Sequence, residues 1–432
     1  MVFPRTARTN AIHHLEIGGC DTAALVHEFG TPLYIFDDEH LRARAREIDQ
    51  AVRARWQNSL VLYATKAYFS PYLARLYLDA GLGLDVTSEG ELAIARRIDF
   101  PRERIYLHGN NKTPAELRAA LSMGVEHVVV DNLAEIELLA HVAAEVNVVP
   151  RVLLRLAPAI DPHTHRYLAT GIAESKFGLP LANGDARRAA QLVKQHSAHL
   201  SFAGLHVHIG SQIFELEPYR DAIAAVLDFA RELRDEMGLE LQELDMGGGW
   251  GVAYTDDQST LSIETVIDTV VSVLSQRSFP NPPRLLFEPG RALVAQSAVA
   301  LYTVGAVKEI PGLRTYVSVD GGMGDNVRPA LYGAKYTARL ANRMDDATTQ
   351  HVAIAGRYCE QGDILIEEVA LPHVEAGDLV AIPCAGAYQI PMASNYNLIP
   401  RPAVIAVREG EPRVIRRRET IEDMLRCELD DQ

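Results

Sequence analysis

A lysine that directly follows an apolar run is the first residue whose position could support chemistry. Lys66 comes after residues 60–65 (LVLYAT). At the mouth of an apolar shell, desolvation lowers the pKa of an amine and exposes the lone pair that a Schiff base requires. A surface lysine is the commoner case, so the interpretation of Lys66 depends on the residues that accompany it.

Two later segments could bind an anion and a ring nitrogen. Residues 245–249 (DMGGG) bring three glycines together, so the backbone could approach a phosphate, although such a run can also form only a tight turn. Residues 288–291 (EPGR) offer Glu288, whose carboxylate could keep a pyridine nitrogen protonated, and Arg291, which could bind a carboxylate or phosphate. The alternative for these two residues is a structural ion pair.

Residues 204–211 (GLHVHIGS) carry two histidines at spacing i, i+2. On a strand His206 and His208 share one face, so both could point into a pocket and one could stack on a flat ring. Zinc is the competing interpretation, but no third ligand follows nearby at metal spacing. The cysteines lie far apart without a C-x-x-C pair, so we expect free thiols and no structural metal. They are Cys20, Cys359, Cys384 and Cys427.

A repeated pattern indicates which elements position these residues. Eight short apolar runs end in polar or glycine residues, at 60–66, 82–88, 105–110, 127–132, 151–156, 202–210, 243–251 and 284–291. Helical patterns usually follow them, and continuous apolar runs are typical of parallel strands buried on both faces. An open doubly wound sheet would give the same alternation. Eight repeats with polar strand ends favour a closed (β/α)8, TIM-like barrel whose active site lies at the C-terminal ends of its strands.

After residue 291 the pattern changes to strands with few helices, at residues 301–307, 315–319, 351–355, 364–369, 379–383 and 404–407. This predicts an α/β protein with a second, C-terminal β-rich domain of sandwich or barrel type. Because strands need partners, we expect the segment before Asp37 to pack on that same domain. The predicted limits are 1–36 for the N-terminal segment, 37–292 for the barrel and 293–432 for the β domain.

Composition excludes several classes of protein. The 432 residues are 48% hydrophobic and 23% charged, as in an ordinary globular protein. A net charge of -15 offers no basic patch for nucleic acid or anionic lipid. No apolar run reaches the roughly 18 residues of a spanning helix, and the N-terminus lacks the apolar stretch of a secretory signal. We therefore expect a cytoplasmic enzyme that acts on a small molecule.

Taken together, these motifs resemble the fold-type III pyridoxal-phosphate (PLP) decarboxylases, the alanine-racemase-like barrel group, and in particular their diaminopimelate-decarboxylating branch. The resemblance covers nearly the whole chain. It rests on several motifs in order, at residues 63–66 (YATK), 204–212 (GLHVHIGSQ), 288–291 (EPGR), 359–363 (CEQGD) and 392–397 (MASNYN).

The resemblance implies a role for each candidate residue. Lys66 would bind PLP covalently, His208 would stack on the pyridine ring, and Glu288 would pair with the ring nitrogen. Further cofactor contacts would come from Asp85, Ser211, Gly247, Gly248, Gly249, Arg291 and Tyr388. The substrate would contact Arg291, Arg328, Tyr332, Glu360 and Tyr388.

The resemblance also implies a head-to-tail homodimer, in which Cys359 and Glu360 serve the partner's active site. Cys359 could then return a proton to the substrate after carbon dioxide leaves, whereas most free cysteines are small buried apolar residues. Residues 328–332 (RPALY) resemble the family's clamp for a distal carboxylate, and Glu360 could pair with a distal ammonium. The expected reaction is decarboxylation of meso-2,6-diaminopimelate to L-lysine.

Two short segments bear on the choice of substrate within the family. Residues 171–178 (GIAESKFG) look like the diaminopimelate branch, whereas residues 389–391 (QIP) depart from the segment that members often carry there. Decarboxylases of carboxynorspermidine, ornithine or arginine are the alternatives, and a PLP-binding protein without catalysis is a third. The β domain and residues 359–360 argue against a carrier, which needs no shared substrate pocket.

Overall fold

The computed structural model describes residues 2–160, 175–277 and 279–429. The chain divides into two compact units. The barrel unit is drawn from Ala45–Gly251 and Thr260–Gly290, and the β unit from Met1–Arg44, Val252–Ser259 and Arg291–Gln432. Among the described residues, no helix combines the length and apolar character needed to span a bilayer.

The strands are numbered in chain order over the described residues. They are β1 (Arg8–Thr9), β2 (Leu15–Ile17), β3 (Cys20–Asp21), β4 (Leu33–Asp37), β5 (Ser59–Ala64), β6 (Gly83–Val86), β7 (Ile105–Leu107), β8 (His127–Val130), β9 (Arg151–Ala157), β10 (Leu179–Pro180), β11 (Ser201–Val207), β12 (Glu243–Asp245), β13 (Arg284–Phe287), β14 (Ala298–Ile310), β15 (Arg314–Val319), β16 (Arg339–Leu340), β17 (Gln350–Ala355), β18 (Ile364–Leu371), β19 (Leu379–Pro383), β20 (Ala403–Arg408) and β21 (Glu411–Arg416).

The helices are numbered in the same way. They are α1 (Thr22–Phe29), α2 (Asp38–Arg55), α3 (Pro71–Asp79), α4 (Glu89–Arg97), α5 (Pro114–Met123), α6 (Leu133–Val146), α7 (Asp185–Gln195), α8 (Glu217–Met237), α9 (Ile263–Ser275), α10 (Arg291–Val294), α11 (Arg328–Tyr332) and α12 (Ile421–Leu425).

Eight parallel strands of the barrel unit form a closed ring. Their order is β5-β6-β7-β8-β9-β11-β12-β13, and β13 pairs with β5. This confirms the predicted (β/α)8 barrel, and each predicted run overlaps one of these strands. One buried cluster joins side chains from six of the strands: Leu60, Leu62, Tyr106, Val129, Leu153, Ala203 and Leu286. Burial of these apolar side chains stabilises the ring on which the strand-end residues stand.

Side-chain caps begin the helices that follow the first barrel strands. Ser70, Ser88 and Asn132 each accept a hydrogen bond from a backbone N–H of the first turn. Thr113 and Glu116 form the complete capping box that the sequence predicts. The caps end each strand-to-helix loop at a defined residue, so the loops that carry the site residues stay short.

A glycine in β11 allows close approach of the neighbouring strand β12. A Cβ atom on Gly204 would lie 1.8 Å from the carbonyl oxygen of Glu243. The pairing of β11 with β9 also shifts register between Phe202 and Gly204. Only glycine fits there, and this local irregularity precedes His206 on β11 and His208 directly after it.

The β unit has a mixed sheet in the order β18-β17-β15-β14-β4-β20-β21, with β19 also paired to β14. Strand β4, from the N-terminal segment, pairs antiparallel with β14 and parallel with β20. The opening segment therefore belongs to this sheet, as the sequence analysis expects. Apolar side chains from these strands form a second core, which includes Leu33, Ile35, Val299, Leu301, Ala381, Ile405 and Val407.

Candidate active site

Lys66 stands at the C-terminal end of the first barrel strand. It lies in a short 3-10 turn directly after β5, and its side chain is 46% exposed. Its Nζ is 3.8 Å from Oδ2 of Asp85, a buried residue of β6. Burial, and then the charge of Glu288, raise the pKa of Asp85. The amine is therefore accessible and close to a carboxyl group that can hold or release a proton.

Glu288 is the buried carboxylate at the end of β13. His206 Nε2 donates a hydrogen bond to its Oε2 at 3.1 Å. His108 Nε2 lies 2.7 Å from its Oε1, at an angle that does not satisfy a hydrogen bond. Burial favours the neutral carboxyl, but the two histidines outweigh it and lower the pKa of Glu288 well below its usual range. Glu288 is thus an anion with one oxygen that is not hydrogen-bonded within the described protein.

His208 presents a neutral imidazole. Its Nδ1 accepts a hydrogen bond from the backbone N–H of Gly248 at 3.2 Å. Burial, followed by the charge of Lys66, lowers the pKa of His208 well below its usual range. A neutral ring whose plane is held by a backbone hydrogen bond suits stacking on an aromatic ligand.

The glycine run after β12 packs tightly against neighbouring backbone. A Cβ on Gly248 would lie 2.2 Å from the carbonyl oxygen of Glu288, and one on Gly249 would lie 2.2 Å from that of Gly210. The N–H of Gly247 donates to Asp245 Oδ1 at 2.8 Å, and that of Gly248 donates to His208. The run therefore needs glycine for close packing, and its first two N–H groups already have partners within the chain.

Four buried side chains, His108, His206, Asp245 and Glu288, form what we call the Glu288 cluster. Each offers one ligand atom, and these atoms all lie within 4.8 Å of one another. No third ligand is recognisable near His206 and His208 in the sequence, whereas the structure brings three groups to His206. Burial and the charge of Glu288 raise the pKa of Asp245 well above its usual range, so Asp245 is a neutral acid. The cluster therefore contains the buried Glu288 anion, which suits a cationic pyridine nitrogen.

Sequence reasoning missed several residues at the ends of barrel strands. His108 follows β7, Asp131 follows β8, and Arg155 lies on β9. Arg155 Nη1 is 3.5 Å from Asp131 Oδ1, and its guanidinium lies 4.4 Å from the ring of Phe177. The rule that polar residues at the ends of barrel strands face the active site could have identified all three. Residues 171–174 of the predicted diaminopimelate-type segment lie outside the described residues.

The β unit contains a separate cluster of arginines and tyrosines. Arg291 donates a hydrogen bond to Tyr254 Oη at 2.7 Å, and Arg328 donates one to Tyr336 Oη. The Arg328 guanidinium also lies 4.6 Å from the ring of Tyr254. Both arginines are buried. Tyr254 and Tyr336 carry no motif, and only the fold of the β unit reveals that they accompany the predicted arginines.

Tyr388 and the unusual segment after it join this second cluster. The guanidinium of Arg291 lies 4.7 Å from the ring of Tyr388, whose φ of 60° is left-handed. Gln389 is buried and donates to Tyr336 Oη at 3.0 Å. The residue that departs from the family pattern is therefore built into the hydrogen bonding of the cluster. Tyr332, at the end of α11, is partly exposed.

Cys359 and Glu360 are both exposed. The backbone N–H of Cys359 donates to Asn397 Oδ1 at 3.0 Å. Asp363 is buried and accepts from the backbone N–H groups of Met323 and Tyr358. Hydrogen bonds to the buried Asp363 thus hold the loop that carries Cys359, while the side chains of Cys359 and Glu360 remain exposed.

Comparison with known proteins agrees with this chemistry. The family model for the pyridoxal-binding domain of pyridoxal-dependent decarboxylases matches residues 39–295. The diaminopimelate decarboxylase of Bacillus subtilis is 45% identical over 433 residues, covering 99% of this chain and 98% of the relative.

Solved structures give the same result. Diaminopimelate decarboxylase from M. jannaschii, in complex with L-lysine, has a TM-score of 0.92 and 31% identity over 100% of this chain and 99% of that one. Lysine/ornithine decarboxylase from Vibrio vulnificus, in complex with putrescine, has a TM-score of 0.76 and 25% identity over 90% and 97%. The chain therefore belongs to the pyridoxal-dependent decarboxylases, and within them to the diaminopimelate decarboxylase family.

Proposed function

We propose that the protein decarboxylates meso-2,6-diaminopimelate to L-lysine with PLP as cofactor, the last step of lysine biosynthesis. The observation that carries the proposal is the buried anion Glu288 with His206 and His108 on its two oxygens. The relative from M. jannaschii was solved with L-lysine, which is the product expected here.

When bound, PLP would supply a protonated ring that accepts the electron pair left on the substrate's α-carbon as carbon dioxide departs. Lys66 would hold the cofactor through its amine. Asp85, 3.8 Å from Lys66 Nζ, would take up and return the proton of that amine. His208 would support one face of the ring, and Glu288 would accept the hydrogen bond of the ring nitrogen.

The phosphate would be held by Ser211 and the glycine run 247–249. The N–H groups of Gly247 and Gly248 already have partners, so these two residues would contribute the space that their missing side chains leave. In the proposal Gly249 and Ser211 supply the donors.

The substrate contacts follow from the chemistry of the β unit. Arg328 would bind the distal carboxylate and Arg291 a carboxylate or the phosphate, because a guanidinium binds such groups through two parallel hydrogen bonds. Tyr332 and Tyr388 complete the proposed contacts, and Glu360 would pair with the distal ammonium.

We also propose that the protein is a cytoplasmic homodimer in which Cys359 and Glu360 serve the partner's site. Their exposure supports this proposal, as do the nearby exposed side chains of Tyr396 and Leu398, which are 42% and 63% exposed. The barrel domain would span residues 37–292, with 1–36 and 293–432 forming the β domain.

The first test combines absorbance and product formation. The protein with PLP should show a visible absorption band and should form lysine and carbon dioxide from meso-diaminopimelate. Lys66→Ala should abolish both. Lys66→Arg is the matched control, because it keeps the positive charge but cannot form the covalent link. A band without lysine would move the substrate to ornithine, arginine or carboxynorspermidine, and the absence of a band would refute the proposal.

A second test concerns Arg328 as the proposed contact of the substrate's distal carboxylate. Arg328→Met should raise the KM for diaminopimelate at least about tenfold, since a charge-assisted hydrogen bond is lost. Arg339→Met, at an exposed arginine of the same unit, should leave KM unchanged. Equal effects of Arg328→Met on diaminopimelate and on a monocarboxylate substrate would contradict the clamp.

Complementation tests the shared site. Lys66→Ala and Cys359→Ala variants are each expected to be inactive or slow. After mixing and subunit exchange, about a quarter of wild-type activity should return, because half of the dimers are mixed and each mixed dimer has one intact site. No recovery between variants that demonstrably exchange subunits would place both residues in one subunit's site.

A further inference from the structure

We propose that His108 and His206 are positioning residues that hold the Glu288 carboxylate in one orientation, as the anionic acceptor for the cofactor's ring nitrogen. The inference rests on the proposed function, because it assigns these residues to the PLP site of that enzyme. It adds a role for His108, to which the sequence motifs give none.

The two histidines contact the Glu288 carboxylate from the ends of two different strands of the barrel. His206 comes from β11 and approaches Oε2 at 3.1 Å, whereas His108 follows β7 and approaches Oε1 at 2.7 Å. The two imidazole rings meet edge to face, with centroids 5.1 Å apart and planes at 72°. Contacts on both oxygens from different strands prevent rotation of the carboxylate about its last side-chain bond.

The backbone holds His108 itself in place. Its N–H donates to Val86 O at 2.7 Å, so the residue extends the pairing of β7 beside β6. The next loop is fixed by Lys112, whose Nζ donates to the carbonyl oxygens of Gly109 and Val129 at 2.8 and 2.7 Å. His108 therefore reaches Glu288 from a rigid segment, as a positioning residue must.

The two histidines also determine the charge of Glu288. Complete burial on its own would neutralise a carboxyl group, and it does raise the pKa of Asp245. Glu288 remains ionised because His108 and His206 stabilise its charged form. The titratable or charged groups that act on this site are His108, His206, His208, Asp85, Asp245 and Arg155.

Imidazole suits this task better than a permanent cation does. A lysine or arginine in contact with Glu288 would cancel its charge, and the ring nitrogen would then have no net anion to stabilise its proton. Burial lowers the pKa of His206 to about 4, so its ring is a neutral donor at neutral pH. The negative charge of Glu288 stays available to a pyridinium.

The test follows the protonation of the ring nitrogen directly. Wild-type and His108→Phe proteins are loaded with PLP labelled with 15N in the ring, and the 15N chemical shift is followed from about pH 6 to about pH 9. The wild-type ring should remain protonated throughout. In His108→Phe the ring pKa should fall by about one to two units, because Glu288 loses its 2.7 Å contact with His108 Nε2 and its charged form is then less well stabilised. The kcat should fall by about ten- to a hundredfold while KM stays within about twofold.

Two further variants distinguish a positioning role of His108 from a purely structural role. His108→Gln keeps an N–H donor and should restore most of the ring protonation. His127→Gln is the matched control, because His127 pairs with buried Glu243 at 3.2 Å but stands at the opposite, N-terminal end of its strand. It should leave the 15N shift unchanged. An unchanged ring pKa in His108→Phe would overturn the role of His108.

A measurement on the wild type covers the case in which His108→Phe does not fold. In holoenzyme with 15N-labelled histidine, both imidazoles should be Nε2-protonated at neutral pH. A deprotonated Nε2 on His108 or His206 would overturn the proposal. These readouts require bound PLP but no turnover, so a protein that fails to form lysine would refute the proposed function and still test this inference.

Discussion

A buried ion pair beside the site gives the sharpest stability prediction. Lys112 Nζ lies 2.5 Å from Glu135 Oε1, and each side chain is only 3% exposed. All three protons of the ammonium have partners, namely Gly109 O, Val129 O and Glu135 Oε1. Lys112→Met keeps the length of the side chain but leaves Glu135 as a buried carboxylate without its cation.

The expected loss follows from removing one member of a buried pair. Such a change costs about 3–5 kcal/mol, because the remaining charge is desolvated without compensation. For a unit of this size, that should lower the thermal midpoint by roughly 5–15 °C. The double variant Lys112→Met, Glu135→Leu should recover at least half of the loss. Its recovery should be incomplete, because Glu135 Oε2 also accepts from the N–H of Asp131.

Thermal unfolding followed by circular dichroism measures both variants. Lys194→Met is the matched control, since Lys194 is exposed and donates to one backbone carbonyl, Met237 O. Its midpoint should change by less than about 2 °C. A loss below about 1 kcal/mol in Lys112→Met, or a double variant less stable than the single one, would refute the reasoning.

Three further predictions concern the glycine run and the two clusters. Gly248→Ala should weaken PLP binding at least about tenfold in an absorbance titration, because its Cβ would lie 2.2 Å from a carbonyl oxygen. Gly90→Ala on α4 should not, because its Cβ would make only an ordinary contact, at 3.7 Å from Ser88 Oγ. Burial lowers the pKa of His206 to about 4, below the roughly 6.5 of an unfolded chain. As the pH falls, His206 therefore takes up a proton in the unfolded state before it does so in the folded state. The contribution of neutral His206 to the free energy of unfolding is complete above about pH 6.5 and is lost as the pH falls towards 4. Thermal unfolding midpoints should decline more in that window for the wild type than for His206→Gln. Tyr336→Phe should raise the KM for diaminopimelate by about five- to tenfold in steady-state assays, because Arg328 loses a hydrogen-bond acceptor; an unchanged KM would remove Tyr336 from substrate binding.

The barrel was predictable because its signals are local. Each strand is a continuous apolar run, and caps such as Thr113 mark where the next helix begins. Seven of the eight predicted runs extend past the observed strand ends because their last residues, among them Lys66, already belong to loops. In the β unit, strand positions were also readable, but the insertion of β4 between β14 and β20 depends on long-range pairing that no local pattern contains.

The candidate site was only partly predictable for a similar reason. Lys66, His208 and Glu288 lie in recognisable motifs, whereas His108 is an isolated histidine whose importance appears only when β7 and β13 are seen in one barrel. Tyr254 lies in a short segment between barrel elements, yet it belongs to the β unit. Such excursions of the chain depend on tertiary packing, and hydrophobic periodicity does not reveal them.

The environment of Arg328 gives a physical reason for selecting a substrate with a second carboxylate. Its guanidinium is buried among tyrosines and, within the described residues, forms no ion pair with an acidic side chain. Burial raises the pKa of Tyr336 to about 12, so that phenol is neutral and does not compensate the charge. A buried, uncompensated cation is costly, and an incoming carboxylate relieves this cost. A monocarboxylate amino acid with its single carboxylate bound elsewhere would leave the cost in place. Discrimination against ornithine should therefore depend on Arg328 and should largely disappear in Arg328→Met.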